Sequence, residues 1–193
     1  MSPIDLNDPV AVLLAATNAL QQANIESALY GGLALAVYGE ARETKDADLA
    51  VAGVETEDVR KALQDQGFDV LLAFDRMQFG GQFVSRLTLV GGSSTNTVDL
   101  VEPRSPAYAG RVLVRAADGE IRRQRIRVVS AEDFIILKLL ATRERDLEDA
   151  KSVIGLLNDT LDFQLITEEL NLLSAEISDY DLDQKWRRVR PSS

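Results

Sequence analysis

The sequence predicts an α+β fold, in which a mixed β-sheet with packing helices is followed by a helical region at the C-terminal end. Short apolar runs of strand length, separated by glycine-containing turns, recur through the first two thirds of the chain. After Ser130 the pattern changes to longer segments with helical spacing. We therefore predict a core over residues 1–129 and a helical region over 130–193 that packs on it. The 193 residues, 46% of them hydrophobic, are enough for a buried core.

The first part of the chain alternates between predicted helices and strands. Asp8 followed by Pro9 is typical of a helix start, and apolar residues then recur at helical spacing. Thr56 marks another helix start, because the acidic residues that follow it favour the positive end of the helix dipole. The predicted elements are a helix over 9–23, a strand over 25–30, a helix over 32–38, a strand over 47–51 and a helix over 54–66.

The second part carries more strands before it turns helical. Gly80 and Gly81 mark a turn, and Asp118-Gly119 is typical of a β-hairpin. Ser130 begins a helix that breaks near residue 142. The other predicted elements are strands over 68–74, 82–90, 97–101, 111–115 and 121–129, a loop over 91–94, and helices over 143–158 and 161–177. The last residues either dock as a helix or form a disordered terminus.

The stretch over residues 29–51 carries the clearest functional pattern. Gly31 and Gly32 lie between a predicted strand and a predicted helix, where glycine permits positive φ and close approach of the backbone to a ligand. The helix start presents free N–H groups that suit a phosphate. Asp46 and Asp48 are two residues apart, so an extended segment places both carboxylates on one face of the sheet. Together these features predict an oxygen-ligand site for Mg²⁺.

The composition narrows the chemistry. The chain has no cysteine and no histidine, which excludes disulfides, thiol nucleophiles, imidazole bases and zinc sites built from those ligands. A metal must therefore bind carboxylates, which favour Mg²⁺ or Mn²⁺. We expect a cytoplasmic protein without a membrane partner, because no apolar run is long enough to span a bilayer and no secretory signal is visible. The net charge of −10 favours solubility and opposes nucleic-acid binding except at local basic patches.

These motifs resemble the nucleotidyltransferase superfamily of polymerase-beta type. The resemblance begins with the glycine pair Gly31-Gly32, a short helix, and Asp46 and Asp48 at the head of a strand. The local form is similar to the branch that contains AbiEii-type toxins and uncharacterised nucleotidyltransferase-like relatives. Three further pieces within residues 29–154 support it: Val98-Asp99-Leu100, residues 131–138, and Arg143-x-Arg145-Asp146-x-x-Asp149.

The resemblance implies a mixed-sheet nucleotidyltransferase core with Mg²⁺ or Mn²⁺ as cofactor and an NTP as substrate. It implies that Asp46, Asp48 and Asp99 are both the catalytic residues and the ligands of two metal ions, one at the triphosphate and one at the acceptor hydroxyl. Relatives often have serine as the second residue of the glycine pair, whereas Gly32 offers only its backbone. The predicted nucleotide-binding residues are Gly31, Gly32, Thr44, Lys45 and Lys138.

Each of these assignments has a structural alternative. Asp99 lies inside a predicted strand, where it faces either a polar site or solvent. Arg42 and Lys45 precede the carboxylates and either contact phosphate or shape the loop, and Lys45 is also placed to balance the charge of Asp46. Lys138 either neutralises phosphates or extends its amine to solvent.

The last motif departs from the family's usual pattern. Arg145 stands where relatives often have lysine, and the two cations differ in geometry. Arg145 and Asp149 are four residues apart on a predicted helix. An ion pair on the helix surface, worth about 0.2–0.5 kcal/mol, is therefore the alternative to a functional role.

An arginine-rich segment follows the predicted core strands. On alternating strand faces several of these arginines would share one side, which predicts either a phosphate or RNA contact surface or a solvated face. The residues are Arg111, Arg115, Arg122, Arg123, Arg125 and Arg127.

Three functions follow from these observations. The first is transfer of an NMP from an NTP to an RNA (tRNA included) or protein acceptor, as the toxin of a toxin–antitoxin system with an antitoxin partner. The second is a non-catalytic, antitoxin-like binding protein on the same scaffold, which the three aspartates oppose. The third is a small-molecule (antibiotic) nucleotidyltransferase such as an aminoglycoside adenylyltransferase, which would need an acidic pocket for its cationic acceptor. The arginine-rich segment favours the first.

Overall fold

A computed structural model describes residues 4–39 and 43–191 of the chain. The helices of this part are α1 Pro9–Gln22, α2 Gly31–Tyr38, α3 Thr56–Asp65, α4 Pro106–Arg115, α5 Ala131–Leu140, α6 Glu144–Leu157, α7 Phe163–Glu176 and α8 Leu182–Val189. The strands are β1 Ala28–Tyr30, β2 Ala47–Ala50, β3 Asp69–Phe79, β4 Gln82–Gly91, β5 Ser94–Pro103, β6 Ala117–Ile121 and β7 Gln124–Val128.

The strands form one mixed sheet in the order β3-β4-β5-β2-β1-β7-β6. β2 runs parallel to β5 and β1 runs parallel to β7, while the other neighbours are antiparallel. Ala28, Leu29 and Tyr30 of the central strand β1 are all buried, which is typical of a strand covered on both faces. The predicted α+β fold with a mixed sheet and packing helices is confirmed.

Two helix starts follow the sequence signals directly. The Asp8 carboxylate accepts hydrogen bonds from the backbone N–H groups of Val10 at 3.1 Å and Ala11 at 3.3 Å. The Ser130 hydroxyl accepts one from the N–H of Asp133 at 3.1 Å. Each cap satisfies N–H groups that have no partner within the first turn of a helix.

The predicted strand over residues 111–115 is wrong, because this segment is the second half of helix α4. Ser105 caps the helix by accepting from the N–H of Tyr108 at 3.1 Å, and Pro106 is its first residue. Tyr108 and Val112, four residues apart, are both buried. The Ser-Pro start and this helical spacing favour a helix, whereas the strand was predicted as the hairpin partner of residues 121–129 around Asp118-Gly119.

The hairpin is real but its predicted tip is wrong. β6 and β7 pair with Ile121 opposite Gln124, so the turn consists of Arg122 and Arg123, with φ of 49° and 65°. Gly119 lies within β6, where an added Cβ would come 2.7 Å from the Val128 side chain. The glycine therefore permits close packing of the hairpin rather than its turn.

The predicted basic face over residues 111–127 is also wrong. Arg111 and Arg115 lie one turn apart on α4, and both donate to the Glu169 carboxylate at 2.7–2.8 Å. Arg115 also donates to both oxygens of Asp133, at 2.8 and 2.6 Å. The carboxylates of Glu169 and Asp133 neutralise these two helical arginines. Arg111 and Arg115 therefore do not contribute free positive charge to a surface shared with the hairpin.

The hairpin arginines are engaged elsewhere or point outward. Arg122 forms an ion pair with Asp8, and Arg127 donates to the carbonyl oxygen of Leu113 at 2.6 Å. Arg123 and Arg125 are exposed. The segment therefore offers much less free positive charge than its composition indicates.

Replacing Glu169 by glutamine is expected to destabilise the protein by about 2–4 kcal/mol at pH 7, because it leaves two partly buried arginines without their shared counter-ion. Although burial opposes ionisation, the hydrogen bonds from Arg111 and Arg115 hold the pKa of Glu169 below its usual value. The stabilisation is therefore present above about pH 4.5 and is lost as the pH falls through that lowered pKa. Urea unfolding from pH 3 to 7 measures this.

Glu168→Gln is the matched control for Glu169→Gln, since Glu168 is the exposed neighbour on the same helix. We expect the control to change the free energy of unfolding by less than about 0.5 kcal/mol. Equal effects of the two substitutions would show that the buried ion-pair network does not stabilise the fold.

The C-terminal residues dock as a helix. Leu182 and Val189 of α8 are buried, and Trp186 packs near Phe163 of α7 with ring centroids 6.4 Å apart. Helix α5 is the most enclosed element of this region, with every residue from 133 to 140 buried. The boundary between residues 129 and 130 as a domain limit stays a prediction. No helix within the described residues has the length and apolar character needed to cross a bilayer.

Candidate active site

A cavity of about 570 Å³ opens beside the central strands, between the start of α2 and the junction of α5 with α6. All eight residues that the sequence assigned to catalysis or nucleotide binding line it. They are Gly31, Gly32, Thr44, Lys45, Asp46, Asp48, Asp99 and Lys138. Arg42 lies outside the described residues.

Five of the lining residues form a row across five adjacent strands. The backbone register places Phe74 opposite Arg86, Arg86 opposite Asp99, Asp99 opposite Asp48, and Asp48 opposite Tyr30. Directly opposed residues project from the same face of a sheet, so their side chains are neighbours. We call this set the cross-strand row. It brings Asp48 and Asp99 together although they are far apart in the sequence.

The glycine pair makes room for the carboxylate of Asp48 and for Thr44. Gly31 has φ of +72°, and a Cβ on it would lie 1.9 Å from Asp48 Oδ2. A Cβ on Gly32 would lie 2.8 Å from the Thr44 hydroxyl oxygen. Both positions therefore require glycine, one for its backbone conformation and close contact and the other for contact alone.

Asp46 lies at the open edge of the cavity, where 45% of its side chain is exposed. Its Oδ1 accepts a hydrogen bond from the Thr97 hydroxyl at 3.0 Å. Thr97 lies two residues before Asp99 on β5, so the two side chains share a face of the strand. Thr97 thus orients Asp46 toward the same cavity as Asp99.

Asp99 is buried and does not face solvent, which removes the structural alternative weighed for it. Both carboxylate oxygens accept hydrogen bonds from the guanidinium of Arg86, from Nε at 2.8 Å and from Nη2 at 2.6 Å. The same Nη2 lies 3.9 Å from Asp46 Oδ2. Arg86 is therefore the cation nearest to the acidic cluster and binds one member of it in a bidentate pair.

Negative charge is concentrated at Asp48. Burial and the neighbouring carboxylate of Asp99, with a smaller contribution from Asp46, raise the pKa of Asp48 to about 7, while Lys138 and the N–H of Gly32 act in the opposite direction. Ionisation of Asp48 is therefore disfavoured by its surroundings, and a bound cation would favour it.

Lys138 is a buried lysine rather than one that extends to solvent. Its amine lies 3.0 Å from Asp146 Oδ1 and 2.9 Å from Asp149 Oδ2, both on α6. It also lies 5.3 Å from the centre of the Tyr30 ring and 5.5 Å from that of Phe134. Two carboxylates and two rings hold the cation at the cavity wall, next to the cross-strand row.

The donor atoms fit a divalent cation in part. Asp46 and Asp48 supply carboxylate oxygens, the ligands that Mg²⁺ prefers. Both oxygens of Asp99 contact Arg86 instead. In the part of the chain that the structure describes, no group of three or more His, Cys, Asp or Glu side chains is arranged to hold a metal ion. Asp46 and Asp48 are thus the pair that fits.

Comparison with known families agrees with this geometry. Residues 11–190 match the family described as "Nucleotidyltransferase of unknown function" (DUF6036). The chain belongs to this family. The predicted resemblance to nucleotidyltransferases is confirmed, and this finding assigns no AbiEii-type branch. No curated protein matches the sequence.

Two solved structures share the fold. The solution structure of the antibiotic-resistance factor ANT(2'')-Ia has a TM-score of 0.51 at 15% identity, over 88% of this chain and 91% of that one. JHP933 from Helicobacter pylori has a TM-score of 0.50 at 18% identity, over 86% of this chain and 76% of that one. At these low identities the similarity supports the fold of this nucleotidyltransferase but does not identify its acceptor.

Sequence reasoning missed Arg86 and Thr97 in the nucleotidyltransferase site. The turn after β4 carries a sequence signal that predicts the strand partner of Arg86. Gly91 pairs with Ser94 around a two-residue turn, and the same register places Arg86 opposite Asp99. Reading residues 91–94 as a four-residue loop hid this pairing, because hairpin register depends on turn length.

Proposed function

We propose that this nucleotidyltransferase moves an NMP from an NTP to a hydroxyl group of an RNA acceptor, with release of pyrophosphate, in a Mg²⁺- or Mn²⁺-dependent reaction. The observation that carries the proposal is the cross-strand row, in which Asp48 and Asp99 lie side by side and Asp48 packs against Gly31. Asp46 shares their cavity. Acidic side chains beside a glycine turn at a helix start are what transfer of a phosphate-linked group requires.

Each residue has a definite task in this proposal. Asp46 and Asp48 would hold the metal, which when bound neutralises the triphosphate and favours loss of the acceptor hydroxyl proton. The start of α2, at Gly31 and Gly32, would present backbone N–H groups to the phosphates. The Asp99 carboxylate is the candidate to receive the acceptor proton once its oxygens are available. Thr44, which packs on Gly32, shapes this phosphate-binding wall.

The exposed cations at the rim of the cavity favour an anionic acceptor. Inside, Asp99 is paired with Arg86, and Lys138 is paired with two acids of α6. At the exposed rim are three cations, Lys45, Arg143 and Arg145, and two acids, Glu43 and Asp46. The three rim cations would attract the phosphates of RNA.

Transfer of label from α-phosphate-labelled NTPs tests the proposal. We expect the wild type with Mg²⁺ to label an RNA fraction and Asp48→Ala to label none. The matched control Asp65→Ala removes an exposed carboxylate on α3 that lies outside the cavity, and it should retain full activity. Label on protein or on an aminoglycoside would identify that molecule, instead of RNA, as the acceptor. The absence of Asp48-dependent label with all of these acceptors would contradict the proposal.

We further propose the role of an AbiEii-type toxin with an antitoxin partner, on the strength of the sequence motifs. Expression of the wild type in bacterial cells should then arrest growth, and expression of Asp48→Ala at the same level should not. Unimpaired growth with the wild type would contradict the toxin role while leaving the transfer reaction to its own test.

A further inference from the structure

We infer that Arg86 is a resident counter-ion of Asp99 that competes with a divalent cation for this carboxylate. Arg86 thereby sets the metal affinity of the site. The inference rests on the proposed function, because it concerns the same carboxylates. It goes beyond that function by assigning control of metal loading to a residue of β4.

The pair is built into the sheet. Arg86 and Asp99 lie directly opposite each other on β4 and β5, and Asp99 in turn lies opposite Asp48. The guanidinium meets both oxygens of Asp99 at 2.8 and 2.6 Å, while only 9% of the Asp99 side chain is exposed. The backbone therefore presents Arg86 to Asp99 without any need for loop movement.

This contact competes with metal binding at Asp99. A bidentate guanidinium takes one lone pair on each carboxylate oxygen in charge-assisted hydrogen bonds, which are among the strongest in proteins. A divalent cation at Asp99 needs at least one of those oxygens and would repel the guanidinium. The Arg86 Nη2 also lies 3.9 Å from Asp46 Oδ2, so the guanidinium extends across the space between two of the predicted ligands.

The Arg86 guanidinium has other stabilising contacts within reach. Its side chain is 30% exposed at the cavity, and its guanidinium carbon lies 5.6 Å from the centre of the Phe74 ring. A cation over an aromatic face remains stabilised there. A phosphate bound in the cavity would offer it a second anionic partner. Release of Asp99 therefore requires a side-chain movement and no rearrangement of the strand.

Mn²⁺ binding without nucleotide, followed by electron paramagnetic resonance of free Mn²⁺, tests the inference. Arg86→Gln should bind Mn²⁺ about 10- to 100-fold more tightly than the wild type, the range expected from loss of a competing charged hydrogen bond. Arg86→Lys keeps the positive charge but cannot form the bidentate pair, and it should give a smaller increase in Mn²⁺ affinity. Arg60→Gln breaks an exposed bidentate pair with Glu57 outside the cavity and should change nothing.

The double variant Arg86→Gln/Asp99→Asn identifies the oxygen that is released. The double variant should not show the higher Mn²⁺ affinity of Arg86→Gln, because it lacks the Asp99 carboxylate with which Arg86 pairs. The inference would be overturned if both Arg86 variants bound Mn²⁺ no more tightly than the wild type while binding still depended on Asp48. That result would leave the proposed metal site intact. No Mn²⁺ binding by any variant, with or without NTP, would overturn both. Circular dichroism melting shows which variants fold.

Discussion

Replacing Asp48 by asparagine is expected to abolish nucleotidyl transfer and, at the same time, to stabilise the metal-free protein at alkaline pH. Transfer should fall by at least about 10²-fold, because the carboxylate nearest the glycine turn no longer contributes charge. The stability gain arises because the folded protein holds the ionised Asp48 carboxylate among like charges and away from water. Asparagine keeps an oxygen that can accept from the Gly32 N–H without carrying the charge.

The pH dependence of this effect has a definite sign. The pKa of Asp48 is raised to about 7 in the folded protein, against about 3.9 in an unfolded chain. The stability of the wild type should therefore fall as the pH rises from about 4 to about 7 and then level off, at a cost of about 4 kcal/mol. Asp48→Asn lacks this cost.

Urea unfolding in EDTA between pH 5 and pH 8 measures the difference. The advantage of Asp48→Asn over the wild type should widen across this range, while Asp65→Asn, at an exposed position on α3, should follow the wild type. Saturating Mg²⁺ should raise the Tm of the wild type and leave that of Asp48→Asn unchanged. A difference that is independent of pH would show that Asp48 is well solvated and outside an acidic cluster.

Gly31→Ala is expected to cost both stability and activity. The new Cβ would lie 1.9 Å from Asp48 Oδ2 and 2.5 Å from its Cγ, so the carboxylate or the turn must move. The backbone φ of +72° adds strain of about 1–2 kcal/mol for any residue with a Cβ. Transfer activity should fall to the level of Asp48→Ala, since the displaced carboxylate no longer shares the cavity geometry with Asp99.

Gly53→Ala separates the collision from the backbone strain. Gly53 also has a left-handed backbone, with φ of +62°, but a Cβ on it would meet no atom within 4 Å. It should lose only the strain contribution in urea unfolding and keep full transfer activity. If Gly31→Ala and Gly53→Ala behaved alike in both measurements, the close contact of Asp48 with the turn would be refuted.

The sequence was most informative where the physical signal is local. Asp8 and Ser130 identified helix starts because capping depends on residues two or three positions apart. The same kind of signal at Ser105-Pro106 begins helix α4, but residues 111–115 were predicted as a strand because Asp118-Gly119 is typical of a hairpin. The hairpin tip was misplaced because Arg122 and Arg123 adopt a turn conformation usually taken by glycine or asparagine.

The site was predictable in its members and not in its arrangement. Spacing alone placed Asp46 and Asp48 on one segment, but their meeting with Asp99 depends on parallel pairing between β2 and β5, for which no local pattern exists. The role of Arg86 depends on register across a hairpin. A shift of one residue would turn its side chain to the opposite face of the sheet.

The most direct test of the account is equilibrium binding of labelled NTP to the purified protein with Mg²⁺ or with EDTA. We predict Mg²⁺-dependent binding by the wild type that is lost in Asp46→Asn/Asp48→Asn and retained in Asp65→Asn. Binding that is equally strong in EDTA, or that survives in the double variant, would contradict the claim that these carboxylates form the metal and nucleotide site.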